Sequence, residues 1–181
     1  MSDGLKQVLD YDDLASIPPD GKRYELLGGD LHVTPAPSPH HQRVSKRLQR
    51  QLEAYFEARG LGEVFNAPVD VILTRHDVVE PDLVVVTVPS QVSARAIEGP
   101  PTLVVEILSP TTATYDRTVK ARRCAELGIP HFWVVDPERR RLECYRAEGG
   151  AYQRALEAED GETVEHPDWP GLRVALGDLW V

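Results

Sequence analysis

The sequence contains little cysteine and no long apolar run. Cys124 and Cys144 are its only cysteines; they are too few for a disulfide framework and are not spaced as a metal knuckle. We expect two semi-buried free thiols. No stretch approaches the roughly 20 apolar residues that cross a bilayer, and the chain does not start with a basic segment followed by an apolar one. These absences favour a soluble, cytoplasmic protein that binds no membrane.

The charge is strongly biased towards acid. Twenty Lys and Arg residues stand against 29 Asp and Glu residues, which gives a net charge of −9. This acidity opposes loose attraction to nucleic acid or anionic lipid and excludes a generally basic DNA-coating protein. The length of 181 residues predicts a single domain over residues 1–181, because domains average about 150 residues.

The first third of the chain predicts a hairpin and a long helix. After a short helix at 10–14, segments 24–27 and 30–33 flank Gly28-Gly29, a pair that supplies the positive φ values of a tight turn. Between 39 and 59, apolar residues recur at spacings of three and four, with Ser38 as N-cap and Gly60 as the stop.

The rest of the chain is rich in short β-branched segments. Strands are expected at 64–65, 69–73, 83–86, 103–108 and 131–136. The segments 83–86 and 103–108 are almost continuously apolar, which predicts central strands covered on both faces. A helix at 116–127 between two strands predicts a right-handed parallel crossover. With a second hairpin at 141–155 and a strand at 172–176, we expect an α/β fold with a central mixed β-sheet flanked by helices.

Three carboxylates interrupt or border these apolar strands. Asp82 opens the strand 83–86, Glu106 lies inside the strand 103–108, and Glu25 lies in the first hairpin. A buried carboxylate is usually kept by a partner or a metal, because burying it unpaired is costly. For Asp82 and Glu25, a purely structural explanation is equally good. Asp82 then simply begins a strand after proline, and Glu25 faces solvent. Glu106 is the hardest to explain without a nearby cation.

If the two central strands are neighbours, Asp82 and Glu106 project towards one point. Two hard oxygen ligands suit Mg²⁺ or Mn²⁺. Lys120 follows Asp116 by one helical turn, so that the two share a face of the predicted helix. Alone, they form a surface ion pair of little energetic value. Near the exit of the Glu106 strand, the alternative is that Lys120 orients a water or stabilises a pentacovalent phosphate.

Several motifs occur together in an order that resembles a known family. They are YEL (24–26) with GGD (28–30), SPHH (38–41), EPDLVV (80–85), PTLVVEILSP (101–110), Asp116 with Lys120, and GIPHFWVVDP (128–137). Over roughly residues 10–155 the sequence resembles the putative restriction endonuclease branch of the PD-(D/E)XK nuclease superfamily. The resemblance implies a restriction-endonuclease-like fold.

The resemblance also implies roles for individual residues. Asp82 and Glu106 become the metal-binding carboxylates, with the Ile107 carbonyl as a further ligand, and Glu25 and Lys120 complete the catalytic set. The superfamily motif E-x-K has its lysine where this chain has Leu108. The resemblance therefore implies that the lysine has moved to the following helix, and Arg122 and Arg123 are the alternatives to Lys120 there.

These assignments imply an endonuclease dependent on Mg²⁺ or Mn²⁺ that hydrolyses DNA phosphodiester bonds and works as a homodimer. A second interpretation keeps the fold without the reaction, as a catalytically silent binding or scaffold protein acting with a partner. Leu108 and the low pI favour it, and the joint presence of the four catalytic candidates opposes it. A third interpretation is a metal-dependent hydrolase of another phosphoester.

Three surface features remain open on the sequence. Arg43, Lys46, Arg47 and Arg50 form either a phosphate-binding stripe or the ordinary solvated face of the long helix. His40 and His41 either approach the metal or a phosphate, or are solvated residues near a helix cap. The apolar C-terminal residues Leu176, Leu179, Trp180 and Val181 form a dimer interface or fold back on the core.

Overall fold

The computed structural model describes residues 7–180. The strands are β1 (Arg23–Leu27), β2 (Asp30–Thr34), β3 (Glu63–Asn66), β4 (Val71–Thr74), β5 (Asp77–Val79), β6 (Leu83–Val86), β7 (Ile97–Glu98), β8 (Leu103–Ile107), β9 (His131–Asp136), β10 (Arg141–Glu148), β11 (Ala151–Glu159), β12 (Thr163–Glu165) and β13 (Arg173–Ala175). The helices are α1 (Tyr11–Ala15), α2 (Pro39–Phe56), α3, which consists of the consecutive segments Ala113–Tyr115, Asp116–Lys120 and Ala121–Glu126, and α4 (Gly177–Trp180), with a 3₁₀ turn at Pro89–Gln91.

The strands form two main sheets and one small one. The larger sheet has the order β11-β10-β9-β8-β6-β3, and all its neighbours are antiparallel except β8 and β9. This is the predicted mixed sheet, and the parallel pair is the one that the strand, helix, strand pattern predicts. The second sheet, β2-β1-β5-β4-β7, was not expected because β5 and β7 contain only three and two residues. Strands β12 and β13 form the third.

The predicted hairpin and long helix are confirmed. Gly28 and Gly29 have φ values of 60° and 80° at the β1–β2 turn, and the Ser38 side chain caps α2 by accepting a hydrogen bond from the backbone of His41. The helix ends at Phe56, three residues before the predicted end. It stops there because the Leu61 amide turns back to the Phe56 carbonyl, and the intervening turn uses Gly60 at a positive φ.

The main core lies between α2 and one face of the six-stranded sheet. Leu48 and Leu52 of α2 are fully buried against it. Leu176 and Leu179 are also fully buried in this core, and Trp180 packs against it. The C-terminal segment therefore folds back, and its two leucines are not free to form a dimer interface. Val181 lies outside the described residues.

The two central strands are buried on both faces, as predicted. Every residue of β6 and β8 is buried, and the two strands are antiparallel neighbours, with Leu83 opposite Val105. The opposite face of β8 packs against α3 through a second apolar cluster that includes Leu108, Ile129 and Phe132.

Helix α3 begins at Ala113, earlier than the predicted start at 116, and its middle segment is π-helical. In that segment the Ala121 amide bonds to the carbonyl of Asp116, five residues back. Among the described helices, none combines the length and the apolar character needed to span a membrane.

Candidate active site

Four elements bring the predicted site residues to one cavity. Asp82 precedes β6 and Glu106 lies near the end of β8, so the antiparallel register sets them side by side. Strand β1 of the second sheet contributes Glu25, and α3 contributes Lys120. All four side chains line the same cavity of about 200 Å³. The condition for their convergence, that the two central strands are neighbours, is met.

Lys120 is buried between two carboxylates. Its Nζ donates to Glu25 Oε1 at 2.5 Å and lies 2.6 Å from Glu106 Oε1. The lysine and both glutamates are each 3% exposed or less. The interpretation of Lys120 and Asp116 as a surface ion pair is therefore wrong, and so is that of Glu25 as a solvent-facing residue.

The alternative cations on α3 point elsewhere. Arg123 donates through Nε and Nη2 to the two carboxylate oxygens of Asp77, at 2.7 and 2.8 Å. Arg122 is mostly exposed and pairs with Glu126 one turn further along. Of the three basic candidates on this helix, only Lys120 reaches the carboxylates.

Asp82 is held by partners from three parts of the chain. Its Oδ1 accepts a hydrogen bond from Arg23 Nη1 at 2.7 Å, and its Oδ2 accepts one from the backbone amide of Ile107 at 2.7 Å. The His41 Nε2 atom lies 3.1 Å from Oδ2 and 2.9 Å from the Ile107 carbonyl oxygen. His41 thus contacts two of the three residues that the resemblance assigns to a metal, Asp82 and Ile107, whereas His40 is exposed.

Burial and charge shift the pKa values of the site in opposite directions. Burial raises the pKa of Glu106 well above its usual range despite the nearby Lys120. Burial also raises the pKa of Asp116. For Asp82, burial is outweighed by the hydrogen bonds and charges of His41 and Arg23, so its pKa is lowered. Burial works against the charge of Lys120, but Glu106 and Glu25 raise its pKa well above the ordinary value, which keeps the ammonium protonated.

The cavity contains more acidic than basic groups. Five carboxyl side chains line it, against the two permanent cations Arg23 and Lys120; the five are Glu25, Glu80, Asp82, Glu106 and Asp116. In addition, Glu106 Oε1 is buried and makes no hydrogen bond of normal geometry, although Lys120 Nζ lies 2.6 Å away. A divalent cation neutralises such an excess of negative charge in a low-dielectric site.

Arg23 and Glu80 also line the cavity and were not predicted from the sequence, which left the role of His41 open. Arg23 lies two residues before Glu25 on β1, and residues two apart on a strand point to the same face. His41 lies three residues before Val44 and belongs to the buried stripe of α2. Strand and helix periods therefore carried a signal for both residues. Glu80 lies in the motif already assigned to Asp82, and its burial raises its pKa to about 7.

A separate group of potential ligands lies on the sheet face opposite Glu106. Within residues 7–180, His131, His166 and Asp168 are the one set of three His, Cys, Asp or Glu residues whose ligand atoms all lie within 4.8 Å of one another. One Asp168 oxygen already accepts a hydrogen bond from Arg146, and His166 Nδ1 accepts one from the Asp168 amide. Among the described residues, no three active-site carboxylates meet this distance, and Lys120 lies between Glu25 and Glu106.

Comparisons with known proteins agree with this architecture. A crystal structure of a putative nuclease belonging to DUF820 from Anabaena variabilis ATCC 29413 superimposes with a TM-score of 0.75, at 19% sequence identity, over 95% of this chain and 97% of the other. At this low identity the match shows the fold, which is the predicted restriction-endonuclease-like one. A search of curated proteins found no match. The family model Uma2, described as "Putative restriction endonuclease", matches residues 8–177. The chain therefore belongs to the Uma2 family, whose description agrees with the putative restriction endonuclease family that its motifs resemble.

Proposed function

We propose that the protein is a metal-dependent endonuclease that hydrolyses DNA phosphodiester bonds in the cavity around Lys120. The observation that carries this proposal is the convergence of Asp82 and Glu106 from adjacent strands on one buried cavity that also holds Glu25 and Lys120. The family match supports a nuclease, and DNA is the substrate that this class of enzyme cuts.

The donor atoms fit Mg²⁺ or Mn²⁺. Asp82, Glu106 and the Ile107 carbonyl would hold the ion with hard oxygen atoms, the ligand type that these ions prefer. The Oε1 atom of Glu106 is buried, and the ammonium of Lys120, 2.6 Å away, contacts it without the geometry of a hydrogen bond. When bound, such a cation lowers the pKa of a water molecule and neutralises charge on a phosphate.

The protein side chains have distinct tasks in this scheme. Lys120, held protonated by its carboxylates, would orient the attacking water or stabilise the negative charge that develops on the phosphate. Glu25 fixes the Lys120 ammonium by a direct hydrogen bond. Arg23 fixes the Asp82 carboxylate in the same way, so that both catalytic groups are oriented before substrate binds.

Two further properties belong to this proposal. The chain would act as one domain, because the family model covers nearly all of it. It would act as a homodimer, since cleavage of both strands of a duplex favours a pair of active sites. Sedimentation equilibrium of the purified protein, alone and with duplex DNA, tests the dimer; a monomer under both conditions would contradict it.

The scaffold and the other-phosphoester hydrolase remain the competing functions. Calorimetric titration of Mn²⁺ into wild type and Glu106→Gln separates the scaffold from both enzymes, because only an enzyme of this type binds the ion through Glu106. Nicking of supercoiled plasmid then separates the DNA endonuclease from a hydrolase of smaller phosphoesters. Metal binding lost in Glu106→Gln, together with nicking by wild type, is the expected result; absence of metal binding would support the scaffold.

A further inference from the structure

The positively charged residues of the described chain fall into two groups. Within residues 7–180, nearly all Lys and Arg residues outside α2 have a carboxylate at salt-bridge distance. The one exception in that range, Arg59, stacks its guanidinium on the ring of Tyr55. On α2, by contrast, Arg43, Lys46 and Arg50 have no carboxylate partner among the described residues.

This contrast is informative because the protein is acidic. With 29 carboxylates for 20 basic residues, an exposed cation has many opportunities to be neutralised. The fourth basic residue of α2, Arg47, reaches the carbonyl oxygen of Leu179 and is partly buried. Arg43, Lys46 and Arg50 thus form the basic face of α2, an uncompensated positive patch on a negatively charged molecule.

The three residues together span a length that matches a short run of phosphates along a DNA strand. They lie three and four positions apart, so they share one face of the helix, and all three are exposed. At 1.5 Å rise per residue they span about 10 Å, which equals about three steps of a DNA strand at 3.4 Å each along the helix axis. The basic face of α2 therefore matches the charge and the length of a short stretch of DNA backbone.

The patch adjoins the proposed active site through Lys46. Helix α2 begins at the site, where Ser38 and His41 line the cavity. A second groove shares His41 and Asp82 with that cavity and runs along α2 to Lys46. Its other polar residues are Gln42, Ser45, Gln49 and Asn66, whose uncharged groups hydrogen-bond to phosphate and sugar oxygens without repelling them.

We propose that the basic face of α2 binds the sugar-phosphate backbone of duplex DNA, on the strand that leads into the cavity, through Arg43, Lys46 and Arg50. This assignment rests on the proposed function, because it takes the cavity as the position of the scissile phosphate. The contacts carry charge and no base readout, so they bind DNA of any sequence. Of the two interpretations of these basic residues that the sequence allowed, this proposal adopts the phosphate-binding one.

The test compares two triple variants with the same change in net charge. In Arg43→Gln/Lys46→Gln/Arg50→Gln the basic face is removed. The control, Arg95→Gln/Arg140→Gln/Arg173→Gln, removes three exposed cations that are paired with carboxylates elsewhere. Fluorescence anisotropy measures the affinity for a labelled DNA duplex with Ca²⁺ in place of Mg²⁺, at KCl concentrations between 50 and 200 mM. The same proteins are also assayed for plasmid nicking in Mg²⁺ and for sedimentation with phosphatidylserine vesicles.

The α2 variant should bind the duplex at least about tenfold more weakly than wild type, with the slope of log K against log salt reduced by about 2–3, since each lost phosphate contact on duplex DNA removes about 0.9. The control should bind like wild type. This assignment would be overturned if the two triple variants bound the duplex with equal affinity. It would also be overturned if the protein sedimented with vesicles through the basic face of α2 but did not bind DNA. Nicking by the α2 variant at the wild-type rate would overturn the assignment but not the proposed nuclease function. If wild type bound DNA through the basic face of α2 but did not nick the plasmid, the assignment would be supported and the nuclease function contradicted.

Discussion

The ammonium of Lys120 lies 2.6 Å from the carboxylate of Glu106. The glutamate belongs to β8, and the lysine belongs to α3, the helix that follows this strand in the chain. In the motif E-x-K the lysine would come two residues after the glutamate, at the position of Leu108. The helix after the strand supplies the cation here, and the site retains the pairing of glutamate and lysine that its resemblance to nucleases implies.

Replacing Leu108 by lysine should not restore a lost active site. Leu108 packs in an apolar cluster with Ile129 and Phe132, so an ammonium there would be buried without a carboxylate partner. We expect Leu108→Lys to destabilise the fold by about 2–4 kcal/mol and Lys120→Ala/Leu108→Lys to remain as inactive as Lys120→Ala. Urea denaturation and plasmid nicking measure the two effects. Recovery of nicking in the double variant would show that the strand position still reaches the site.

Lys120 should stabilise the fold as well as serve the chemistry. Lys120→Met leaves Glu25 and Glu106 buried without their cation, which should cost about 3–5 kcal/mol at pH 8. Burial raises the pKa of Glu106, and without the lysine this carboxyl group binds a proton in the folded state, so the loss should shrink as the pH falls towards 5. Urea denaturation at both pH values measures this difference. Lys22→Met, which breaks an exposed pair with Asp20, is the matched control and should leave stability unchanged; a pH-independent loss in Lys120→Met would contradict the account.

His166 should make the protein sensitive to mild acid. Burial, together with the neighbouring His131, lowers the pKa of His166 to about 4 from an ordinary 6.5. Between these values the unfolded chain binds a proton that the folded protein does not, so stability falls as the pH decreases from about 6.5 to 4, by up to about 3 kcal/mol. His166→Asn should flatten this part of the stability profile, and His40→Asn, at an exposed position, should not. An unchanged profile in His166→Asn would assign the acid sensitivity to another group.

Asp77 should stabilise the β1–β2 turn through its partners. Its carboxylate accepts hydrogen bonds from the Gly28 amide and from two nitrogens of Arg123, and it is 1% exposed. Burial alone would raise the pKa of Asp77, but hydrogen bonds from Arg123 and Thr74 lower it overall. The stability that the ionised carboxylate contributes is therefore fully present at a pH above the ordinary pKa of aspartate, and it is lost as the pH falls through the lowered pKa of the folded protein. Asp77→Ala should cost about 2–4 kcal/mol at pH 7, measured by thermal unfolding, and a change below 0.5 kcal/mol would show that the cluster contributes little.

The sequence predicted the parts of the fold that depend on local periodicity. The apolar spacing of Val44, Leu48 and Leu52 and the glycine pair at 28–29 are signals contained in a few neighbouring residues, and the helix and the turn formed where they indicated. The second sheet carried no such signal. Strands as short as β5 and β7 exist only because their neighbours pair with them, and the π-helical turn that precedes Ala121 has no sequence mark.

The site residues were likewise predictable only where a few neighbouring residues carried the signal. Glu106 was recognisable because a charge inside an apolar strand needs a local explanation. Strand periodicity places Arg23 on the same face as Glu25, but its pairing with Asp82 was not recognisable, because the two residues are 59 positions apart and only the folding of one sheet against the other brings them together. The same holds for His41, whose contacts with Asp82 and Ile107 join segments 41 and 66 residues apart.

The central claim is that Glu106 belongs to a metal-dependent nuclease centre, and plasmid nicking tests it most directly. Wild type, Asp82→Asn, Glu106→Gln and Lys120→Ala would be purified in parallel, checked for folding by circular dichroism, and incubated with supercoiled plasmid in Mg²⁺ and separately in Mn²⁺. We expect wild type to nick the plasmid in a metal-dependent manner and all three variants to lose this activity by at least about a hundredfold. Nicking by folded Glu106→Gln at the wild-type rate, or no nicking by wild type with either metal, would contradict the account.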